Sequence, residues 1–124
     1  MEIKKVKRAD IDYLALGKQI DTWPPSVRSE YAYKALTDIQ RGYGTRGLIA
    51  YDDDELVGVL SYEEYTDRIN LSFLGTKNSG VGARMVDEIK QNGQMIALLA
   101  EAGADGFWAR QGFERIKNGT YVWG

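Results

Sequence analysis

The sequence has 124 residues, 44% of them apolar and 27% charged, with a net charge of −2. That is the balance of one soluble domain able to bury about two-thirds of its unfolded surface, with no global pull towards nucleic acid or an anionic membrane. There is no cysteine and no histidine, which excludes disulfides, thiol nucleophiles, imidazole bases and nearly all zinc sites; no metal is expected, and acid–base work falls to Asp, Glu, Tyr, Lys, water or backbone groups.

Ile3–Lys7 alternates like a strand, and Asp10–Ile20 reads as a helix with Asp10 as N-cap and Ile11, Leu14 and Ala15 on one face. Pro24 and Pro25 then force extended backbone. Ser26 is expected to cap a second helix with Val27, Tyr31, Ala35, Leu36 and Ile39 on its apolar face, ended by Gly42 and Gly44. "GLIAYD" and "ELVGVLSYEEY" flank the acidic turn Asp52–Asp54 as a hairpin, and Ile69–Leu74 is a third strand. A helix follows from Gly80 to about Gln91, burying Val81, Met85, Val86 and Ile89, and Asn92-Gly93 ends it. "MIALLA" is a continuous apolar run, as expected of a strand covered on both faces, so strand, helix and strand make a right-handed parallel crossover. A short helix, Ala104–Gln111, and two strands joined by the type I′ turn signal Asn118-Gly119 close the chain. No window approaches the roughly 18 apolar residues of a membrane span, and MEIKKVKRAD lacks the apolar core of a signal segment. A cytoplasmic location is expected.

The stretch "KNSGVGARM" places Gly80 and Gly82 between a strand and the start of the crossover helix. A helix N-terminus offers unpaired N–H groups and about half a unit of positive charge, and glycine lets a phosphate approach them. A plain turn would use the same residues. Three phosphate-loop patterns can be tested by spacing. A P-loop from Gly75 to Gly80 needs Lys-Ser/Thr next, and Val81-Gly82 stands there. A dinucleotide fingerprint needs a small residue where Met85 stands, and an acid about 20 residues on, which Glu101 supplies.

The third pattern fits best. Lys77-Asn-Ser-Gly80-Val-Gly82 resembles the Gln/Arg-x-x-Gly-x-Gly/Ala loop of the GNAT acetyltransferase superfamily. "EAGADGFWARQGF" is similar to that family's downstream Asn-x-x-Ala-x-x-Phe-Tyr-x-x-x-Gly-Phe, matching at Ala104, Phe107, Gly112 and Phe113. The element order agrees with the same fold over essentially the whole chain. The resemblance implies a single α+β domain with helices on both faces of a mixed, mostly antiparallel twisted sheet. It also implies acetyl-CoA as cofactor and an amine, small or peptidic, as acceptor. The cofactor would be bound by Phe73, Leu74, Lys77, Asn78, Ser79, Gly80, Val81, Gly82, Ala83 and Arg84, with the pyrophosphate at the loop. No nucleic-acid or membrane partner is implied, and a homodimer is left open.

Three positions depart from the pattern. Lys77 replaces Gln or Arg, Glu101 replaces Asn, and Trp108 replaces the Tyr that in relatives protonates the leaving thiolate. Catalytic candidates are therefore Glu101, or Glu63 and Glu64 through a water, as base, with Ser72 or water as proton donor and Trp108 beside the cofactor. Glu63 and Glu64 would equally be solvated charges at a strand end. Tyr62 and Tyr65 are candidates for the acceptor pocket, although tyrosines are ordinary strand residues. Trp23 is another, or it anchors its loop on the core. Phe107 is expected in the core, and Lys4, Lys5, Lys7 and Arg8 on a solvated edge. Alternatives to transfer are a domain that holds acyl-CoA without turnover, and a small dinucleotide-binding domain.

Overall fold

A computed structural model describes residues 1–42 and 44–124. Among the described residues the chain order is β1 (Glu2–Val6), α1 (Tyr13–Asp21), α2 (Glu30–Arg41), β2 (Thr45–Asp52), β3 (Glu55–Glu64), β4 (Arg68–Thr76), α3 (Val81–Lys90), β5 (Met95–Leu99), α4 (Asp105–Arg110), β6 (Glu114–Lys117) and β7 (Thr120–Trp123). The strands form one sheet in the order β1-β2-β3-β4-β5-β7-β6. Among the described residues only β4 and β5 pair in parallel, joined by the α3 crossover; the other neighbours are antiparallel. Among the described residues the two-residue hairpin turns have paired left-handed residues, Asp53 and Asp54 between β2 and β3, and Asn118-Gly119 between β6 and β7. Paired positive φ values are what a two-residue hairpin turn needs.

The pleat divides the sheet between two cores. Leu48 and Ala50 of β2 point to the face covered by α3 and α4, with Val86, Ile89 and Trp108. Ile49, between them, points to the face covered by α1 and α2, with Leu36 and Ile39. Period-two alternation feeding two helical layers gives the expected three-layer α/β arrangement. In α3 the predicted stripe Val81, Met85, Val86 and Ile89 is buried. No helix among the described residues is long and apolar enough to cross a membrane.

Several local expectations are corrected. Asp12, not Asp10, caps α1, accepting from the Ala15 N–H at 3.1 Å. Asp10 instead accepts from the Lys7 N–H at 2.9 Å and closes a 3₁₀ turn, Arg8–Asp10. With the start moved, Leu16 and Ile20 face the core and Leu14 is 73% exposed. Ser26 does not cap α2. The Val27 N–H donates to the Pro24 carbonyl at 2.9 Å, so a turn takes up this segment and the helix begins at Glu30. β5 is not covered on both faces. Ile96 and Leu98 are buried, while Met95 and Leu99 on the other side are exposed, because α2 reaches only as far as β4.

One close approach sets the position of α2. A Cβ built at Gly75 of β4 would stand 2.6 Å from the Cα and 2.8 Å from the Cβ of Ala32. Only glycine lets the start of that helix lie directly on the strand.

Candidate functional site

The parallel pairing of β4 with β5 runs from Arg68↔Met95 to Leu71↔Leu98 and stops there, while β4 continues to Thr76. The cause lies on β4's other edge. Ser61 of β3 pairs with Phe73 and Tyr62 pairs with Leu71, so Ser72 is an extra, bulged residue. A bulge bends its strand and sharpens the twist, which turns β4 away from β5. A cleft of about 380 Å³ fills the gap, within the size range of small-molecule sites.

One end of the cleft is the glycine loop. Asn78, Ser79, Gly80 and Gly82 line it. Gly80 is the N-cap of α3 with φ +86°, a conformation that disfavours any side chain. The first N–H groups of α3 have no carbonyl one turn earlier to bond, so the loop presents donors and the positive end of the helix dipole. Gly82 is buried. A Cβ there would meet the Phe107 ring at 3.3 Å, so glycine lets α4 close on the first turn of α3. Phe107, expected in the core, is half-buried and lines the cleft beside Trp108. Trp108 itself is buried in edge-to-face contact with Phe107 and Phe113, at centroid distances of 4.8 and 5.1 Å. The Tyr121 hydroxyl donates to Asp105 Oδ1 at 2.9 Å and ties the start of α4 to β7.

The other end is polar. Arg28 and Tyr31 reach it from the α2 side, and Glu101 from the loop after β5. Arg28 Nη2 donates to the Tyr31 hydroxyl at 3.0 Å, and that hydroxyl donates to Glu101 Oε2 at 3.4 Å. Arg28 is itself fixed by Glu30 at 3.0 Å, and this bond, followed by the Tyr31 interaction, raises the guanidinium pKa above its usual value.

Ser72, Phe73, Leu74, Glu101 and Trp108 thus share the cleft with four residues of the loop. The remaining predicted residues lie elsewhere. Lys77, expected at a phosphate, has its ammonium bonded to the Glu55 carboxylate and does not line the cleft. Val81 is buried in the core, Ala83 is half-buried, and Arg84 is exposed on the outer side of α3. Glu63 and Glu64 sit opposite Asn70 and Ile69, where β4 is still paired with β5, and Glu63 accepts from the Tyr65 hydroxyl at 3.0 Å. Register puts both carboxylates at the wrong end of the strand for the cleft. Tyr62 is buried in the core against Leu71, and burial, then the nearby Glu64 charge, raises its phenol pKa. Tyr65 is exposed. Trp23 is 6% exposed and its indole N–H donates to the Leu56 carbonyl at 3.1 Å, so it anchors its loop on the core.

Sequence reasoning missed Arg28 and Tyr31, and also Leu71, Thr76, Leu98, Leu99, Ala102 and Gly103, which line the cleft as well. Tyr31 reads as part of an apolar helix face. Its role depends on a helix that starts at Glu30, three residues later than a Ser26 cap suggests. No group of three acidic residues suited to a metal occurs among the described residues.

No protein-family model matches the chain, and no curated protein matches it significantly. Solved structures do. Tetrahymena GCN5 is 14% identical with a TM-score of 0.68, covering 98% of this chain and 94% of its own. An aminoglycoside 6′-N-acetyltransferase complexed with coenzyme A is 16% identical with a TM-score of 0.65, covering 99% and 94%. A PaiA N-acetyltransferase from Thermoplasma acidophilum, in complex with coenzyme A, is 15% identical with a TM-score of 0.58, covering 98% and 97%. With nearly complete overlap in both directions, the chain has the fold of the GNAT acetyltransferases.

Proposed function

We propose that this protein transfers an acetyl group from acetyl-CoA to a primary amine, by direct attack of the amine on the thioester. The observation that carries this reading is the cleft where β4 leaves β5. It joins the glycine loop at the start of α3 at one end to a carboxylate at the other. Two proteins of the same fold are complexed with coenzyme A.

The residues present fit that cofactor. Gly80, with open space where a side chain would stand, leaves the backbone N–H groups at the start of α3 open to a pyrophosphate, and Gly82 lines the same cleft. Past Leu71, the edge of β4 that faced β5 is free to bond an amide-bearing chain such as pantetheine. When bound, acetyl-CoA supplies an activated acyl group on a thiol of ordinary pKa about 8.5, which leaves without strong acid assistance. The protein's own tasks are then to orient the acceptor, take a proton from its ammonium and offer a hydrogen bond to the developing oxyanion. Glu101 is the one carboxylate among the described residues lining the cleft, and Ser72 lies at the bulge. The acceptor is a small amine or a peptide amine. A second reading, acyl-CoA binding without turnover, is favoured by Trp108, because an indole has no acidic proton to give a leaving thiolate.

The test is a thermal-shift panel of acetyl-CoA, CoA, NAD and ATP, followed by a free-CoA release assay with varied amines. Acetyl-CoA at 100 times its dissociation constant should stabilise by about 2.7 kcal/mol. Stabilisation by NAD with none by CoA would overturn the reading. Tight acetyl-CoA binding with no CoA release from any acceptor would favour the second.

A further inference from the structure

We infer that Tyr31, held by Arg28, is the residue that aims the Glu101 carboxylate at the acceptor amine. The inference rests on the transfer reading above. Glu101 lies in the stretch between β5 and α4, outside any helix or strand, and its side chain is exposed. Left alone, a glutamate there samples many rotamers, and a base that is seldom in place contributes little. Tyr31 is the opposite kind of group. It is half-buried in the first turn of α2, next to Ala32, whose backbone lies directly on Gly75. Its ring has the Arg28 guanidinium 5.1 Å from its centroid and the Lys34 ammonium 5.3 Å from it. Its hydroxyl accepts from Arg28 Nη2, which directs its own proton towards Glu101 Oε2.

The consequence is a division of labour on one carboxylate. Oε2 is taken by Tyr31, and Oε1 is left to accept a proton. The proton leaves the acceptor ammonium for Glu101, which becomes the neutral acid. The nitrogen keeps its lone pair and becomes the nucleophile, and Glu101 then returns the proton to solvent. At 3.4 Å the Tyr31–Glu101 link is loose enough to adjust when an acceptor enters. Tyr31 is therefore a positioning residue. The charged neighbours of Tyr31 are Arg28, which is paired with Glu30, and Lys34, all on the α2 side.

The test uses two acceptors, a strongly basic primary amine and one already uncharged at the assay pH. Only the first needs Glu101 to take its proton. Tyr31→Phe should lower kcat about tenfold on the basic amine and less than about twofold on the neutral one, with the KM for acetyl-CoA unchanged. In a Glu101→Gln background, already slowed about 100-fold on the basic amine, Tyr31→Phe should add nothing. Equal losses on both amines, or a full further loss in the Glu101→Gln background, would overturn the inference and make Tyr31 merely structural. If the wild type binds acetyl-CoA but acetylates neither amine, the transfer reading itself fails and this assignment falls with it.

Discussion

Gly75→Ala tests whether the fold holds the cleft open as described. The added Cβ would stand 2.6 Å from the Cα of Ala32, where ordinary contact begins at 3.4 Å. The Ala32 backbone nitrogen lies closer still, so the helix start must move by more than about 0.8 Å, and the atoms in the way are backbone, so no rotamer change relieves the clash. Overpacking of this kind costs about 1–3 kcal/mol. At 2 kcal/mol, a chain of this length loses roughly 8 °C in Tm. Tyr31 precedes Ala32, so the same shift carries its hydroxyl away from Glu101. Losing that placement altogether is what Tyr31→Phe does, so turnover on a basic amine should fall by up to about tenfold. The glycine loop starts α3 on the opposite face of the sheet, so acetyl-CoA affinity should stay within about twofold. Urea unfolding measures the first effect, CoA release the second and calorimetric titration the third. A variant within 0.5 kcal/mol of wild type, a bound taken from ordinary surface substitutions of about that size, would refute the close approach of α2 to β4. Loss of CoA binding in a folded variant would refute the separation of the two ends of the cleft.

Gly82→Glu should abolish CoA binding while far-UV circular dichroism stays unchanged, because the side chain starts against Phe107 and carries a negative charge to the phosphate end; an unchanged CoA titration would make the loop a simple turn. Tyr33 donates a hydrogen bond to Asp21, which, with burial adding to it, pushes the phenol pKa from 10.0 up to about 12. The folded state prefers the neutral phenol, so this stabilisation is complete below pH 10 and lost as pH rises towards 12. Urea unfolding of Tyr33→Phe should fall less steeply than wild type across that window, and parallel curves would refute the contribution.

Much of the architecture was legible because local chemistry and global fold agree. The α3 stripe of Val81, Met85, Val86 and Ile89 has the helical period, and its burial follows. Asn118-Gly119 can adopt paired positive φ, and the last hairpin forms there. The glycine loop was legible as a strand-to-helix junction. The site was less so, because its geometry comes from register and long-range contact. Nothing local marks Ser72 as a bulged residue; the bulge exists only relative to β3. Glu63 and Glu64 look as well placed as any acid until pairing with Asn70 and Ile69 assigns them to the closed end of the β4–β5 pair. Lys77 meets Glu55, 22 positions away, through the path of the strands. Tyr31 meets Glu101 across 70 positions, and only the folded sheet brings them together.

Under the proposed function, Trp108 bears on where in the cleft a proton can move. On a six-residue helix little besides side-chain packing holds the element down. Trp108 supplies that packing through edge-to-face contacts with Phe107 and Phe113, each worth about 0.5–1.5 kcal/mol beyond the area it buries. The Phe107 ring in turn occupies the space that a side chain at position 82 would need. The α4 wall is thus apolar throughout its contact with the loop and has no hydroxyl or carboxylate to offer the cleft. In the proposed transfer, proton movement falls to water and to the cleft's polar groups outside α4, among them Ser72 at the bulge and the Tyr31–Glu101 pair at the mouth. That arrangement joins two features distant in the chain. The glycine that seats α2 on β4 places Tyr31, and the tryptophan that packs α4 leaves the proton transfer, in the proposed reaction, to groups such as Tyr31 and Glu101.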